Sequence, residues 1–199
     1  MRGRSHGAQP VQRAGGSPCE LRPGGRACAS ADETRIRGFL RELGRRAPVA
    51  GRIYLTGGAT AVLQGWREST IDVDLRFEPD DDSLLRPLPE LKERLGLNVK
   101  LASPPDFIPE LPGWRDRSPF VVREGRLDVH HFDPYSQALS KVERSFEQDL
   151  EDVRSMLDRG LVVPGLALEL FARIRDDLFR YPAIDASAFE AKVHRAFGP

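Results

Sequence analysis

The chain has 199 residues, in which 30 Lys and Arg offset 30 Asp and Glu, and 40% of the residues are hydrophobic. That is enough apolar material for one sizeable core, but no run approaches the ~18 apolar residues of a membrane-spanning helix, and a neutral chain sets up little field for coating a polyanion. With only two cysteines, Cys19 and Cys28, a disulfide scaffold is excluded as well.

Residues 1–30 hold five Arg, one acid, six Gly and three Pro, with almost no large apolar residues, and read as a disordered tail. They lack the apolar stretch of a secretory signal, and a mis-assigned start codon would account for them as well as a function would. Residues 31–199 read as one domain without internal repeats. Ser30 or Asp32 caps a first helix carrying Ile36, Phe39, Leu40 and Leu43 and ending at Gly44. A short strand over 52–56 stops at Gly57-Gly58, and Ala59 to Trp66 reads as a short helix. Ile71 to Phe77 alternates as a strand, 79–82 is a loop, Leu91 to Leu95 belongs to a helix ending at Gly96, and Asn98 to Leu101 is a third strand. After a Pro-rich loop over 103–114, two strands flank Glu124-Gly125 as a hairpin, Phe120–Val122 and Arg126–Phe132.

Beyond Asp133 the pattern turns helical. Asp133 caps a helix over 134–143 with proline at its first position, and Ser145 to Gln148 is a capping-box sequence opening another. A third helix runs over 166–178, and Asp185 opens the last. The fold class is therefore α+β: a small mixed sheet with helices in an α/β half, 31–133, and a C-terminal helical half, 134–199.

The stretch that carries chemistry is Leu55-Thr56-Gly57-Gly58 followed by Thr70-Ile71-Asp72-Val73-Asp74. Glycines between a strand and a helix let a phosphate approach the backbone, and the helix start offers amide donors. Asp72 and Asp74 lie two apart on a strand, so both carboxylates share a face, their Cα atoms ~6.6 Å apart. Two like charges there call for a cation, and a divalent ion that also binds phosphate oxygens is the natural one. Taken singly, each part has an ordinary explanation: paired acids on the solvent face of an edge strand, or a Gly-Gly turn. Their combination is what points to phosphate chemistry.

Gly57-Gly58 with Asp72-Val73-Asp74 resembles the signature of the DNA polymerase beta-like nucleotidyltransferase superfamily. From about 35 to 197 the chain is similar to a bacterial nucleotidyltransferase-like family related to abortive-infection (AbiEii-type) toxins. Further matching segments are Leu97-Asn98-Val99, Asp106-Phe107-Ile108-Pro109, Leu111-Pro112-Gly113-Trp114, Tyr135 to Lys141 and Arg180 to Ile184. The resemblance implies a polymerase beta-like fold and transfer of a nucleoside monophosphate from an NTP, such as ATP, to a hydroxyl on RNA (a tRNA, for example) or protein. It also implies Mg2+ or Mn2+, a cytoplasmic setting and a cognate antitoxin.

The same resemblance assigns Gly57 and Gly58 to the triphosphate, Thr70 to a phosphate or to the metal strand, Asp72 and Asp74 to the metal, and Lys141 to the triphosphate. Asp128, in an alternating apolar run, is the candidate third acid; Lys100 stands where an acid is expected. Arg67 lies where it reaches a phosphate or else solvent, and Trp66 and Trp114 stack on a base or fill the core. Asp149 reads as a structural partner of Arg144. Arg115, Arg117, Arg123 and Arg126 form a basic rim for RNA or else scattered surface charge. No Walker loop or G-x-G-x-x-G fingerprint is present, and Asp80-Asp81-Asp82 lacks the spacing of a calcium hand. Of His130 and His131 only His130 shares a face with Asp128. A binding module that keeps the fold without catalysis is the alternative to an enzyme.

Overall fold

Asp32 starts the first helix as expected. Its carboxylate accepts the Arg35 N–H at 2.8 Å, and α1 runs over Glu33–Arg46. The computed structural model describes residues 30–199; the Arg-rich tail up to residue 29, with both cysteines and the disorder expected of it, lies outside the described residues.

The five strands are β1 (Gly51–Thr56), β2 (Asp72–Glu78), β3 (Asn98–Leu101), β4 (Phe120–Glu124) and β5 (Leu127–His131), and they form one mixed sheet in the order β3-β2-β1-β5-β4. β1 lies antiparallel to β2 and parallel to β5; β2 runs parallel to β3, and β4 antiparallel to β5. Strand alternation then sorts side chains between two faces. On one face Ile53, Leu55, Val73, Leu75 and Val129 are buried against α1, α2 (Gly57–Leu63) and α4 (Leu88–Leu95). The other face presents Tyr54, Asp72, Asp74, Arg76 and Glu78. It is covered in part by Trp114 and Phe132, which stack with centroids 4.3 Å apart. Such a stack contributes about 0.5–1.5 kcal/mol beyond its buried area.

Trp114 and Phe132 continue into the core of the helical half, which is built from α5 (Pro134–Arg144), α6 (Glu147–Asp158), α7 (Pro164–Ile174) and α8 (Ala186–Phe197). The second core thus begins on the sheet face that carries the acids, and α5 stands beside it. Asp133 is fully buried at the head of α5. It accepts the Tyr135 and Ser136 N–H groups and is gripped by Arg117 through two hydrogen bonds of 3.0 and 2.9 Å.

Several element ends differ from expectation. Helix α2 begins at Gly57 rather than Ala59. Asp81 caps a further turn, α3 (Asp82–Leu85), inside the stretch read as a loop. Ser145 does not open α6; it ends α5 in a left-handed conformation (φ 57°) with its hydroxyl on the Val142 carbonyl, and α6 starts without a side-chain cap. α7 stops at Ile174 and tightens into a 3-10 turn over Arg175–Arg180.

Candidate active site

The floor of the site is set by strand pairing. Thr56 stands opposite Asp74 on β2, while Asp72 and Asp74 pair with Asn98 and Lys100 on β3. Asp72, Asp74, Asn98 and Lys100 therefore project from one face. Both oxygens of Asp72 are engaged: Asn98 Nδ2 donates to Oδ1 at 2.5 Å, and Lys100 Nζ to Oδ2 at 2.7 Å. Among the described residues the Asp74 carboxylate accepts no hydrogen bond and forms no ion pair. Burial, reinforced by the charge of Asp72, pushes its carboxyl up to about 6 against the pull of Lys100, Arg144 and Lys141.

The two glycines do different work. Gly57 adopts φ +59°, and a Cβ there would lie 3.0 Å from Asp74 Oδ2, so only glycine brings the turn this close to the acid. Its N–H is already used, donating to Gln137 Oε1 at 3.0 Å. Gly58 faces away from the cleft. A Cβ on it would come within 2.0 Å of Thr70 Oγ1, and that hydroxyl donates to the Asp72 carbonyl at 2.9 Å. Gly58 and Thr70 thus form a packed support beneath the acid strand.

The opposite wall comes from α5. Gln137, Ser140, Lys141 and Arg144, three or four residues apart on one face of the helix, line the cleft. Together with Thr56, Gly57, Asp72, Asp74, Lys100 and Phe107 they enclose about 220 Å³. Lys141 is buried and donates to Asp149 Oδ1 at 3.0 Å and to Asp152 Oδ2 at 2.6 Å. Arg144 reaches Asp149 at 2.8 Å and lies over the Phe107 ring. Asp152, 1% exposed, also takes two hydrogen bonds from Arg67 and one from the Trp66 indole. Arg67, Lys141 and Arg144 thus share two carboxylates, which leaves the network one positive charge in excess beside the acid floor.

Asp128 is not part of this group. Parallel pairing sets it opposite Arg52, four residues down β1 from Thr56 and so ~13 Å away. There Arg123 binds it at 2.5 and 2.8 Å and holds its carboxyl below the usual range. Carrying the β1–β5 register one residue further puts Phe132, whose N–H donates to the Leu55 carbonyl, level with Thr56 and Asp74. An aromatic ring therefore stands where a third acid on that strand would stand. Arg67 is also absent from the cleft lining, because Asp152 holds it, and neither tryptophan lines the cleft. The arginines read as a basic rim are engaged too: Arg115 with Glu78, Arg117 with Asp133, Arg123 with Asp128, and Arg126 with the Pro48 carbonyl. Two contacts lie beyond what the sequence pattern discloses as a site, the Gln137 clamp on Gly57 and the grip of Asn98 on Asp72. The second was signalled by Asn98-Val99-Lys100, whose spacing matches that of the two aspartates.

Two half-buried carboxylates, one of them without a partner, suit a hard divalent ion that takes its remaining ligands from phosphate and water. Among the described residues no set of three His, Cys, Asp or Glu side chains is placed to hold an ion, so the donors fit one such ion rather than a closed cage. A family model described as a nucleotidyltransferase of unknown function (DUF6036) matches residues 35–181, which span the whole sheet and every residue of the cleft. The chain belongs to this family. Its α+β architecture, a five-stranded mixed sheet flanked by helices, is consistent with the nucleotidyltransferase fold. No curated protein and no solved structure matches the chain. The family membership makes the acid floor and the cationic wall of α5 the place to look for nucleotide chemistry.

Proposed function

We propose that the protein transfers a nucleoside monophosphate from an NTP to a hydroxyl on RNA or protein, with pyrophosphate leaving. The observation that carries this reading is one cleft in which Asp72 and Asp74 face Lys141 and Arg144 across the Gly57 turn. In the step itself the acceptor oxygen bonds to the α-phosphorus. The bond from that phosphorus to the bridging oxygen breaks, the electron pair leaves with pyrophosphate, and the hydroxyl proton passes to water. Asp72 and Asp74 would hold Mg2+ or Mn2+, which supplies neutralisation of phosphate charge. Lys141 and Arg144 are fixed by Asp149 and Asp152 before substrate arrives, and preorganised cations of this kind lower a barrier without reorganising. Gln137 holds the Gly57 turn against α5 and so fixes the width of the cleft.

The test is incubation with each labelled NTP, Mg2+ and total cellular RNA or protein. Label transfer by the parent but by neither Asp72→Ala nor Asp74→Ala is the expected result; equal labelling by all three would remove those residues from the mechanism. A second reading, a nucleotide-binding module without catalysis, is favoured by Lys100 on Asp72 and by Phe132 in the row of Asp74. Saturable NTP binding with no transfer to any fraction would select it. The sequence resemblance to abortive-infection toxins adds one further part to the proposal, a cytoplasmic toxin held by a cognate antitoxin. Induction should then arrest growth of a host lacking that antitoxin, and Asp74→Ala should relieve the arrest.

A further inference from the structure

Lys100 occupies a place that the charge of the cleft makes significant. Its register partner is Asp74, yet its ammonium reaches diagonally to Asp72 Oδ2 at 2.7 Å, and its side chain remains about one-third exposed, at the cleft lining. Asn98 takes the other Asp72 oxygen. Asp72 is thus neutralised by a charge belonging to the chain, while Asp74 beside it has no partner among the described residues. A pair of divalent ions needs a carboxylate free to bridge them and further acids to hold each one. Here the bridging oxygens of Asp72 are taken, and β5 offers Phe132 in place of an acid.

Electrostatic bookkeeping explains why these departures occur together. A site that loses one carboxylate loses one negative charge. If an ammonium also replaces a divalent ion, one positive charge is lost, and the net charge around a bound triphosphate is unchanged. We propose that Lys100 is a tethered cation serving in place of one of two divalent ions, so that the cleft takes up a single divalent ion, between Asp74 and Asp72, and the Lys100 ammonium, kept at the cleft lining by Asp72, meets the polyphosphate of the nucleotide. This rests on the nucleotide-transfer reading and specifies its metal requirement. Lys100 brings its charge from β3, on the acid floor itself, whereas Lys141 and Arg144 approach from α5 and are held there by Asp149 and Asp152.

The experiment counts ions rather than turnover. The full chain is titrated with Mn2+, followed by electron paramagnetic resonance, in the presence of an NTP analogue carrying a methylene between the α- and β-phosphates. Wild type should bind one Mn2+ per ternary complex. Lys100→Met should weaken analogue binding about tenfold, the loss of one charge-assisted contact, and Lys100→Asp should raise the count to two. Lys100→Arg should keep both the single ion and most of the affinity, which separates the charge from a merely structural effect on β3. Two ions in wild type, or a Lys100→Met protein with unchanged affinity and count, would overturn the assignment while leaving nucleotide transfer standing. One ion and normal analogue affinity with no transfer to any acceptor would overturn transfer and leave Lys100 in its role. No binding of Mn2+ or analogue by wild type would overturn both.

Discussion

Asp128 and Gly58 show at the scale of single residues how little a motif says about which atoms meet. Asp128 lies in an alternating apolar run that looks like an acid strand, yet it sits ~13 Å from Thr56, tied to an exposed Arg123. Asp128→Ala should therefore leave label transfer unchanged and cost less than about 1 kcal/mol, as exposed ion pairs do; a transfer assay and a urea melt on the same preparation check both halves. Gly58 makes the opposite case. A methyl there would meet Thr70 Oγ1 at 2.0 Å and Thr70 Cβ at 2.7 Å, and the floor of the cleft hangs from that threonine through the Asp72 carbonyl. Gly58→Ala should destabilise by roughly 1–3 kcal/mol, the usual range for overpacking, with transfer lost even at temperatures where the protein stays folded. A melt that matches wild type would show that the Thr70 contact relaxes freely.

At the scale of elements, what the sequence discloses follows from which forces are local. The strand read over Ile71 to Phe77, the caps Asp32, Asp133 and Asp185 and the stop at Gly96 depend on a few neighbouring residues, and the structure has the caps and the stop where the pattern put them and the strand one residue further on, at Asp72–Glu78. Register between strands depends on partners far along the chain; β1 meets β5 across more than seventy residues, and nothing local told whether Asp128 or Phe132 would stand beside Thr56. Ser145 departs from its pattern for a related reason: its hydroxyl has two nearby uses, and closing α5 on the Val142 carbonyl prevails over opening α6. The network that joins α5, α6 and the segment after α2 was equally hidden, since Trp66 and Arg67 are 86 and 85 residues from Asp152. Removing its centre should be costly, because Arg67 and Lys141 would then lose their common carboxylate in a buried place. Asp152→Ala should lose about 3–5 kcal/mol, read as a shift of the urea midpoint with little dependence on salt, since buried pairs are poorly screened. A loss below about 1 kcal/mol would mean that Asp149 alone can hold Lys141.

Over the whole molecule, the half-buried Asp74 and the buried His131 oppose each other in acid. Asp74 is pushed up from 3.8 to about 6 by burial and the charge of Asp72. Its contribution therefore favours the folded state below pH 4 and is lost as pH rises through 6. His131 is buried on the opposite face of the sheet, with its Nδ1 3.2 Å from Thr60 Oγ1. Because the Thr60 hydroxyl donates to the Leu55 carbonyl at 3.0 Å, the imidazole N–H is the donor in that pair. Burial pulls the imidazole down from 6.5 to about 4, so its contribution is complete above pH 6.5 and is lost as pH falls through 4. Each shift corresponds to about 2–3 kcal/mol, the windows overlap, and the slopes have opposite sign, so in metal-free buffer wild-type stability should change little between pH 6.5 and 4 on account of this pair. Asp74→Asn removes one side of the balance. It should raise stability at pH 7 by about 2 kcal/mol, abolish transfer, and expose the His131 slope as a steep loss on acidification; His131→Gln should leave the reverse slope, with stability rising as pH falls toward 4. Chelator-treated protein, melted in urea at half-unit steps of pH, gives all three curves. Parallel curves for wild type and Asp74→Asn would mean that the Asp74 carboxylate is as well solvated in the folded chain as in the unfolded one, and the cleft would then have no unmet demand for a cation.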